Sequence, residues 1–329
     1  MQIIEQSYEF IYRGMPVDQL IELAGRTCYK SETKITPESA DKFVKMLIDR
    51  GHFSVLEHAT ACFRLDPWEF EEILANFDTA FVSLTDIDRA YLISGNLRAF
   101  MQLVEEDAYD PAIMGILRNL IKTQPEMFGG FYHSGLEDYA PAIQLSEKDL
   151  TDDHEKLHHI FRTIKFITNR GVTHELVRHR PASFSMESTR YVNYGGSEMR
   201  FIKPVWYDHG ALPLDCGIPF KHLQLSSQEI VTPEFVFLRA CRHAESCYNE
   251  LRDCNWRPEQ AREVLPNSLK TEIVMTANLA EWHHVLTLRC SKKAHPQIRD
   301  LMIPVLADFY NEFPRLFGDL FHGHCNKKE

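Results

Sequence analysis

The chain has 329 residues, of which 44% are hydrophobic and 25% are charged, an ordinary composition for a globular protein. Its formal net charge of −11 argues against a nucleic-acid binder that works by bulk electrostatics, so an anionic ligand must be held by a local cluster of cations. The sequence lacks a signal-peptide pattern at its N-terminus and an apolar run of the roughly 20 residues that cross a bilayer, so we predict a cytoplasmic protein without a membrane partner.

The first 66 residues combine a helical pattern with a strand pattern. "TPESADKFVKMLIDRG" (36–51) predicts a helix with Thr36 as its N-cap and Gly51 just past its end. Alternation of apolar and polar residues over 60–65 predicts a strand. The turn between this helix and this strand then carries His52, Ser54, Glu57 and His58.

Residues 67–156 predict a mostly helical insertion with polar loops. Its helical stretches are "PWEFEEILANF" (67–77) and "DPAIMGILRNLIKTQ" (110–124). After it, "LHHIFRTIKFITNRG" (157–171) predicts an amphipathic helix. The apolar side of that helix would carry Leu157, Ile160, Phe161, Ile164 and Ile167.

The last third of the chain predicts four helices and one strand. The helical segments are 232–253 with Thr232 as N-cap, 257–266, 279–290 and a closing helix at 295–313 that is bent at Pro304, and the strand is 269–278. Strands and helices do not alternate as in βαβ units, so we predict an α+β protein with an antiparallel sheet packed against long helices.

Several common site motifs are missing from the sequence. No GxGxxG or GxxxxGK[ST] loop and no GxSxG elbow occurs, and the eight cysteines include no CxxC pair, which favours free thiols. Adjacent histidines such as His283 and His284 point about 100° apart on a helix and do not chelate easily, so we predict no metal site. The C-terminal "HGHC" is interpreted as a frayed tail.

The strongest chemical signal is "RHRPASFSMESTRY", residues 178–191. Its crowded cations cost free energy unless an anion compensates them, and its hydroxyl groups can donate to phosphate oxygens. The planar fork of Arg190 suits a phosphate or a pyrimidine edge. This pattern indicates a nucleotide or diphosphate site, and the alternative is a solvated basic patch.

The hook of residues 178–191 also resembles a signature of the flavin-dependent thymidylate synthases, in which RHR is followed after seven residues by Ser. Four further blocks resemble that family in the right order, and the resemblance covers about 1–66 and 157–315. The blocks are "RTCYKSE" (26–32), "GHFSVLEH" (51–58), "AREVLP" (261–266) and "TANLAEWHHVLTLR" (276–289).

This resemblance implies a thymidylate synthase-complementing-type fold in a single catalytic domain, 1–329, interrupted by the 67–156 insertion. It implies reductive C5 methylation of dUMP to dTMP, with FAD as cofactor and with NADPH and methylenetetrahydrofolate as co-substrates. It also implies a homotetramer with active sites at subunit interfaces. None of the eight cysteines lies in a Pro-Cys-His context, so the uracil must be activated electrostatically.

The resemblance implies roles for individual residues. Arg289 would be catalytic, because a guanidinium aimed at the electron-rich pyrimidine stabilises developing charge. Without the resemblance, we would interpret Arg289 as a cation at a helix C-terminus that binds the last carbonyl groups of the helix. Cofactor contacts are expected from His52, Ser54, Glu57, Arg178, His179, Arg180, Pro181, Asn278 and His284. Nucleotide contacts are expected from Glu175, Arg178, Glu187, Ser188, Thr189, Arg190, Arg262 and Arg289.

Three positions depart from the family pattern. Met186 stands where Gln or Glu is usual, with Glu187 taking over by a one-residue shift. Ala280 stands where many members have an FAD-contacting Arg, and Glu175 stands where some have Gln. The sequence therefore leaves two alternatives open: a related C5 methylase or hydroxymethylase of UMP or dCMP, and a catalytically inactive nucleotide-binding homologue.

Overall fold

The structure is a computed structural model, and it describes residues 1–11, 14–65, 81–88, 90–106, 110–196, 198–208 and 232–325. Helices and antiparallel sheets are mixed along the chain, which confirms the predicted α+β class. None of the described helices combines the length and the hydrophobicity needed to cross a lipid bilayer. The α-helices are α1 Val17–Tyr29, α2 Ala40–Asp49, α3 Leu97–Glu106, α4 Pro111–Thr123, α5 Pro125–Phe128, α6 Asp153–His159, α7 Arg170–Leu176, α8 Pro233–Asp253, α9 Pro258–Ala261, α10 Leu279–Arg289, α11 Pro296–Glu312 and α12 Pro314–Cys325.

The strands of the described residues form three sheets. An antiparallel sheet has the order β2-β7-β10-β8, a second has the order β4-β5-β3-β6, and β1 pairs with β9 in parallel. The strands are β1 Gln2–Ile4, β2 Ser7–Phe10, β3 Thr60–Leu65, β4 Val82–Ile87, β5 Ala90–Asn96, β6 Ile143–Gln144, β7 Phe161–Asn169, β8 Ser183–Met186, β9 Arg200–Ile202 and β10 Lys270–Asn278.

The prediction of a helix over 157–171 is wrong, because this stretch is mostly strand β7. Its residues alternate between buried and partly exposed, with Arg162, Ile164 and Phe166 on the buried side. β7 pairs with β2 on one edge and with β10 over nine residues on the other. Its β-branched residues suit this pleated surface, and pairing with two neighbours overrides the helical spacing of the apolar residues.

Strand β10 was predicted correctly and lies in the middle of its sheet, between β7 and β8. All nine of its residues are buried. The helices α10, α11 and α12 pack against this sheet around Trp282, Phe309 and Phe317, which are fully buried. Strand β10 and helix α10 follow each other directly, so the residues at their junction are held between a sheet and a helical layer.

The segment predicted as an insertion contains α3, α4 and α5, and α4 matches the helix predicted over 110–124. It also contains the hairpin of β4 and β5, which the sequence reading did not predict. β5 pairs with β3 over six residues, so the segment continues a sheet that starts before it. The helix predicted over 67–77 lies outside the described residues.

Two helix ends differ from the predictions. Thr36 does not cap α2, because residues 36–39 form a turn in which Ser39 Oγ accepts from the Thr36 amide at 2.9 Å. The C-terminal "HGHC" is not a frayed tail, because it belongs to α12, which follows the predicted closing helix α11. Thr232 caps α8 as predicted, by accepting from the Phe235 amide.

Candidate active site

The sequence RHR lies just after the end of α7 and leads into strand β8. The amide of His179 donates to the carbonyl of Leu176, which continues the last turn of α7. This turn buries the His179 side chain, which is 5% exposed, and leaves Arg178 and Arg180 exposed. Arg178, His179 and Arg180 therefore face different surroundings, although they are adjacent in sequence.

Arg289, the last residue of α10, is fixed by three hydrogen bonds. Its Nε donates to Nε2 of His179 at 2.9 Å, its Nη1 to Oε2 of Glu175 at 2.7 Å, and its Nη2 to the Glu175 carbonyl at 2.8 Å. Burial lowers the pKa of the Arg289 guanidinium, Glu175 acts to raise it, and the nearby Arg178 lowers it. The structure thus brings four of the predicted site residues together. Glu175 lies on α7, Arg178 and His179 follow that helix, and Arg289 ends the helix that follows β10.

Glu281 extends this group and was missed by the sequence reading. Because Nε2 of His179 accepts from Arg289, the ring proton belongs on Nδ1, which lies 3.5 Å from Oε1 of Glu281. That oxygen is buried and has no hydrogen-bond partner in the described part of the chain. Glu281 is the third residue of α10 after its cap, where an acidic residue usually reads as helix capping, so the sequence offered no functional signal.

His179, Glu281 and His284 also place three metal-ligand atoms within 4.8 Å of one another. The ring of His284 lies beside that of His179, with 5.8 Å between their centroids. Nε2 of His179 is already bound by the Arg289 guanidinium, and a second cation would have to sit near it. A metal ion held by this group would therefore lie close to the Arg289 guanidinium, whose positive charge repels a cation.

A cavity between the two antiparallel sheets gathers three of the predicted cofactor residues. Glu57, Pro181 and Asn278 line it together with Ser183 and Thr276. Asn278 caps α10 by accepting from the Glu281 amide at 2.9 Å, so its position is set by the start of the helix. His52, which precedes the 3₁₀ turn Phe53–His58, and Ser54, which lies on it, are both exposed and do not line this cavity.

The predicted phosphate loop follows strand β8. The Ser188 amide donates to the Cys28 carbonyl at 2.9 Å, which ties the loop to the end of α1. Nη1 of Arg262 donates to Oγ1 of Thr189 at 3.4 Å. Arg190 is exposed, with its guanidinium over the ring of Tyr191 at 5.3 Å. Arg262 thus contacts the loop at Thr189, the residue next to Arg190.

Glu187 does not lie with these residues. Successive residues of an extended strand point to opposite faces, so Glu187 and Met186 face different sides. Oε2 of Glu187 accepts from Lys270 Nζ at 2.9 Å, and Oε1 accepts from the Tyr194 hydroxyl at 2.7 Å. These residues line a separate cavity of about 540 Å³ that includes Lys30 and Arg200. The proposed one-residue shift from Met186 to Glu187 therefore lacks geometric support.

His58 is the last residue of the block at 51–58, and its ring links two strands. It is fully buried, with Nδ1 2.8 Å from Oγ1 of Thr276 and Nε2 2.9 Å from Oγ of Ser185. Burial lowers its pKa from 6.5 to about 3, so the ring is neutral. His58 joins the 3₁₀ turn to strands β8 and β10, and it thereby holds Glu57 at the edge of the cavity.

Comparison with known proteins gives a consistent family. The chain matches the family model described as thymidylate synthase complementing protein over residues 12–69 and 147–315. It is 30% identical over 175 residues to a flavin-dependent thymidylate synthase of Corynebacterium efficiens, covering 46% of this chain and 58% of that relative. It is 26% identical over 302 residues to one of Mycolicibacterium gilvum, covering 91% of this chain and 78% of that relative.

The match to the Corynebacterium protein spans little more than half of that relative's length. Among solved structures, the chain is similar to thymidylate synthase X of Helicobacter pylori, solved with FAD and dUMP, at a TM-score of 0.37 and 25% identity. That likeness covers 51% of this chain and 76% of the other.

Proposed function

The chain belongs to the thymidylate synthase complementing protein family, and on that premise we propose that it is a flavin-dependent thymidylate synthase. In this proposal it methylates dUMP at C5 to give dTMP, with FAD as cofactor, methylenetetrahydrofolate as carbon donor and NADPH as reductant. When bound, FAD supplies the hydride for this reductive methylation.

The position of Arg289 is the observation that carries the proposal. Three of its five N–H donors are used by His179 and Glu175, which leaves two for a nucleotide among the described contacts. Because the guanidinium is already oriented and partly desolvated, it can stabilise negative charge on a pyrimidine ring without reorganising. This geometry supports the proposal that Arg289 is catalytic, with His179 and Glu175 as positioning residues.

The state of the thiols supports a reaction without a cysteine nucleophile. Burial raises the pKa of Cys28, raises that of Cys62 to about 12 and raises that of Cys241 to about 11. A thiol with a raised pKa is a poor nucleophile at neutral pH, because the thiolate is the reactive form. These three cysteines therefore do not compete with Arg289 for the activation of the pyrimidine.

The phosphate of the nucleotide would be held by the loop after β8. Arg190 and Arg262 offer planar donor forks, and Ser188 and Thr189 offer hydroxyl groups. The exposure of Arg190 leaves its guanidinium accessible to a ligand. Glu187 is proposed only as a support for this loop, since its carboxylate is bound by Lys270 and Tyr194.

In the proposal the flavin nucleotide lies against the residues around the cavity of Glu57, Pro181 and Asn278, which offer polar side chains. Thr276 and Ser183 add hydroxyl groups to this lining. Outside it, the buried Oε1 of Glu281 near His179 has no hydrogen-bond partner among the described residues. In the proposal these side chains bind and orient the cofactor, with Arg178, His179, Arg180 and His284 along its approach. His52 and Ser54 would contact the cofactor from the exposed turn.

We also propose a homotetramer whose active sites are shared between subunits, each subunit being one catalytic domain. The support is that the two groups of nucleotide-binding candidates are separate: no contact among the described residues joins Arg190 and Arg262 to Arg289. A phosphate loop given by one subunit to a site that contains the partner's pyrimidine-binding group would bring them together.

A second candidate substrate is favoured by one observation, the carboxylate of Glu175 beside Arg289. A carboxylate accepts a hydrogen bond from the N4 amino group of cytosine, which uracil lacks. A C5 methylase or hydroxymethylase of dCMP would keep the same cofactor and the same guanidinium.

One experiment tests these candidates together. The purified protein is reconstituted with FAD, its visible absorption spectrum is recorded, and turnover is measured with dUMP, UMP and dCMP in the presence of methylenetetrahydrofolate and NADPH. We expect a flavin spectrum and dTMP formation from dUMP. A protein that takes up FAD but turns over only dCMP or UMP moves the assignment to that nucleotide. A protein that takes up no FAD contradicts both candidates.

A further inference from the structure

Two adjoining cavities run along the edge where the sheet of β3, β4 and β5 meets strand β10. The first contains Asn278, Pro181 and Glu57, as described above. The second has a volume of about 240 Å³ and continues from it over the start of α3. Glu57, Phe81 and Asn96 line both cavities, so they form one continuous groove.

Much of this groove is built by the segment that the family model leaves unmatched, between residues 69 and 147. The residues of that segment that line the two cavities are Phe81, Ser83, Asn96, Arg98, Ala99, Gln102 and Leu103. The segment therefore forms one wall of the groove that contains the candidate cofactor-binding residues.

The wall is firmly attached to the rest of the site. Nδ2 of Asn278 donates to Oγ of Ser83 at 3.3 Å, which links the start of α10 to β4. The buried ring of His159 lies 2.7 Å from Oγ of Ser94 and 2.8 Å from Oγ1 of Thr85. Burial lowers the pKa of His159 to about 4, so this link is made by a neutral ring at physiological pH.

Arg98 is the only cation among the described residues that line the two cavities. Its Nη1 donates to Oε1 of Glu57 at 2.5 Å, and its side chain remains 48% exposed. One of its five N–H donors is thus engaged, and the others can reach the groove. In the lining of the same cavity, the ring of Phe81 is 46% exposed and offers an apolar face.

A cation with free N–H donors and an exposed aromatic ring in one groove suit a ligand in which a phosphate is attached to a base. Guanidinium groups bind phosphate oxygens in a bidentate manner, and aromatic rings stack against planar ligands. Glu57 alone would repel a diphosphate, and Ala280 at the start of α10 supplies no cation.

We propose that Arg98, from the segment outside the family match, binds the diphosphate of the dinucleotide cofactor in this groove, with Phe81 against its adenine. This inference rests on the proposed function, since it assumes that FAD is the cofactor. It assigns a binding role to a residue that lies outside every motif in the sequence.

The test is a titration with FAD in which binding is measured by the quenching of flavin fluorescence. It is carried out on the wild-type protein, Arg98→Ala, Arg98→Lys and Arg64→Ala. Arg64 is the matched control, because it is an exposed arginine on β3, next to β5, that lines neither cavity. We expect Arg98→Ala to raise the dissociation constant for FAD about 10- to 100-fold. Arg98→Lys should fall between that variant and the wild type, and Arg64→Ala should bind like the wild type.

Two further measurements separate a phosphate contact from other roles of Arg98. The loss in Arg98→Ala should shrink at high KCl, because salt screens the attraction in the wild type. The double variant Glu57→Gln with Arg98→Gln should bind FAD as weakly as Arg98→Ala. If the double variant regains wild-type affinity, or if the loss is the same at low and high salt, Arg98 does not bind the diphosphate.

The failures of the two proposals are distinguishable. A wild-type protein that does not bind FAD contradicts the proposed function itself. A wild-type protein that binds FAD, with Arg98→Ala binding equally well, contradicts only the inference about Arg98. Thermal unfolding of each variant confirms that a change in affinity is measured on folded protein.

Discussion

Arg289 donates from Nη1 to a carboxylate oxygen of Glu175 at 2.7 Å and from Nη2 to the Glu175 carbonyl at 2.8 Å. The side chain that would stabilise a pyrimidine anion is therefore paired with a carboxylate inside the same subunit. This pairing orients the guanidinium, and it also offsets part of the positive charge that the reaction needs.

Substitutions of Glu175 should separate these two effects. Glu175→Ala removes the acceptor of Nη1 and should lower kcat for dTMP formation about 10-fold or more, because a loosened guanidinium loses its preorganisation. Glu175→Gln keeps an acceptor oxygen and should remain within a few-fold of the wild type on dUMP. Equal losses in both variants would show that the charge, and not the orientation, is what Glu175 supplies.

Arg289→Ala should lower dTMP formation by about 10² to 10³, the usual effect of removing one preorganised donor of charge stabilisation. Reduction of bound FAD by NADPH should stay largely intact, because Arg289 is proposed to act on the pyrimidine. Steady-state turnover and anaerobic stopped-flow absorbance measure the two steps. Arg315→Ala is the matched control, since its side chain is 82% exposed and paired with Asp153. Near-normal dTMP formation by Arg289→Ala would remove this residue from the mechanism.

Mixed oligomers test the proposed sharing of sites. Arg190→Ala and Arg289→Ala, each inactive alone, are unfolded and refolded together. If the phosphate loop of one subunit completes the site of another, about one quarter of the sites recover in a random mixture. Native mass spectrometry verifies that mixed oligomers form. Mixed oligomers as inactive as their parents would mean that each site is built within one chain.

His58 should make the stability of the protein depend on pH. Its pKa is lowered by burial from 6.5 to about 3, so between these values the unfolded chain binds a proton that the folded chain does not. Stability therefore falls as the pH decreases from 6.5, by up to about 1.4 kcal/mol per pH unit from this group. Urea unfolding at several pH values should give a shallower dependence for His58→Asn than for the wild type.

The exposed His174 provides the control for this experiment, since His174→Asn should keep the wild-type dependence. Some dependence should persist in His58→Asn, because burial also lowers the pKa of His159, to about 4. An unchanged slope in His58→Asn would show that its ring is not buried in the neutral form.

The Lys270 ammonium lies between the carboxylates of Glu187 and Glu272, and all three side chains are nearly buried. Lys270→Met should destabilise the fold by about 3 to 5 kcal/mol, because it leaves Glu187 buried without a cation. Adding Glu187→Met should recover much of the loss, while Glu272 keeps Lys30 and Lys165 as partners. Chemical denaturation measures both changes. The exposed pair of Arg257 and Glu259 serves as control, and Arg257→Ala should change stability little.

The sequence determined those features that depend on neighbours along the chain. The cap at Thr232, the strands β3 and β10 and the helix α10 follow from local spacing, turn residues and capping chemistry, and they agree with the structure. The RHR sequence at residues 178–180, which opens the hook of residues 178–191, was recognisable for the same reason, because its cationic residues are adjacent.

Only the tertiary structure decided which distant groups meet. Strand β7 was read as a helix because its pairing with β2 and β10, which selects the strand, is not visible in its own sequence. The contacts of Arg289 with Glu175 and of Arg98 with Glu57 join residues 114 and 41 positions apart. Contacts at such separations form when packing brings whole elements together, so their partners cannot be read from local patterns.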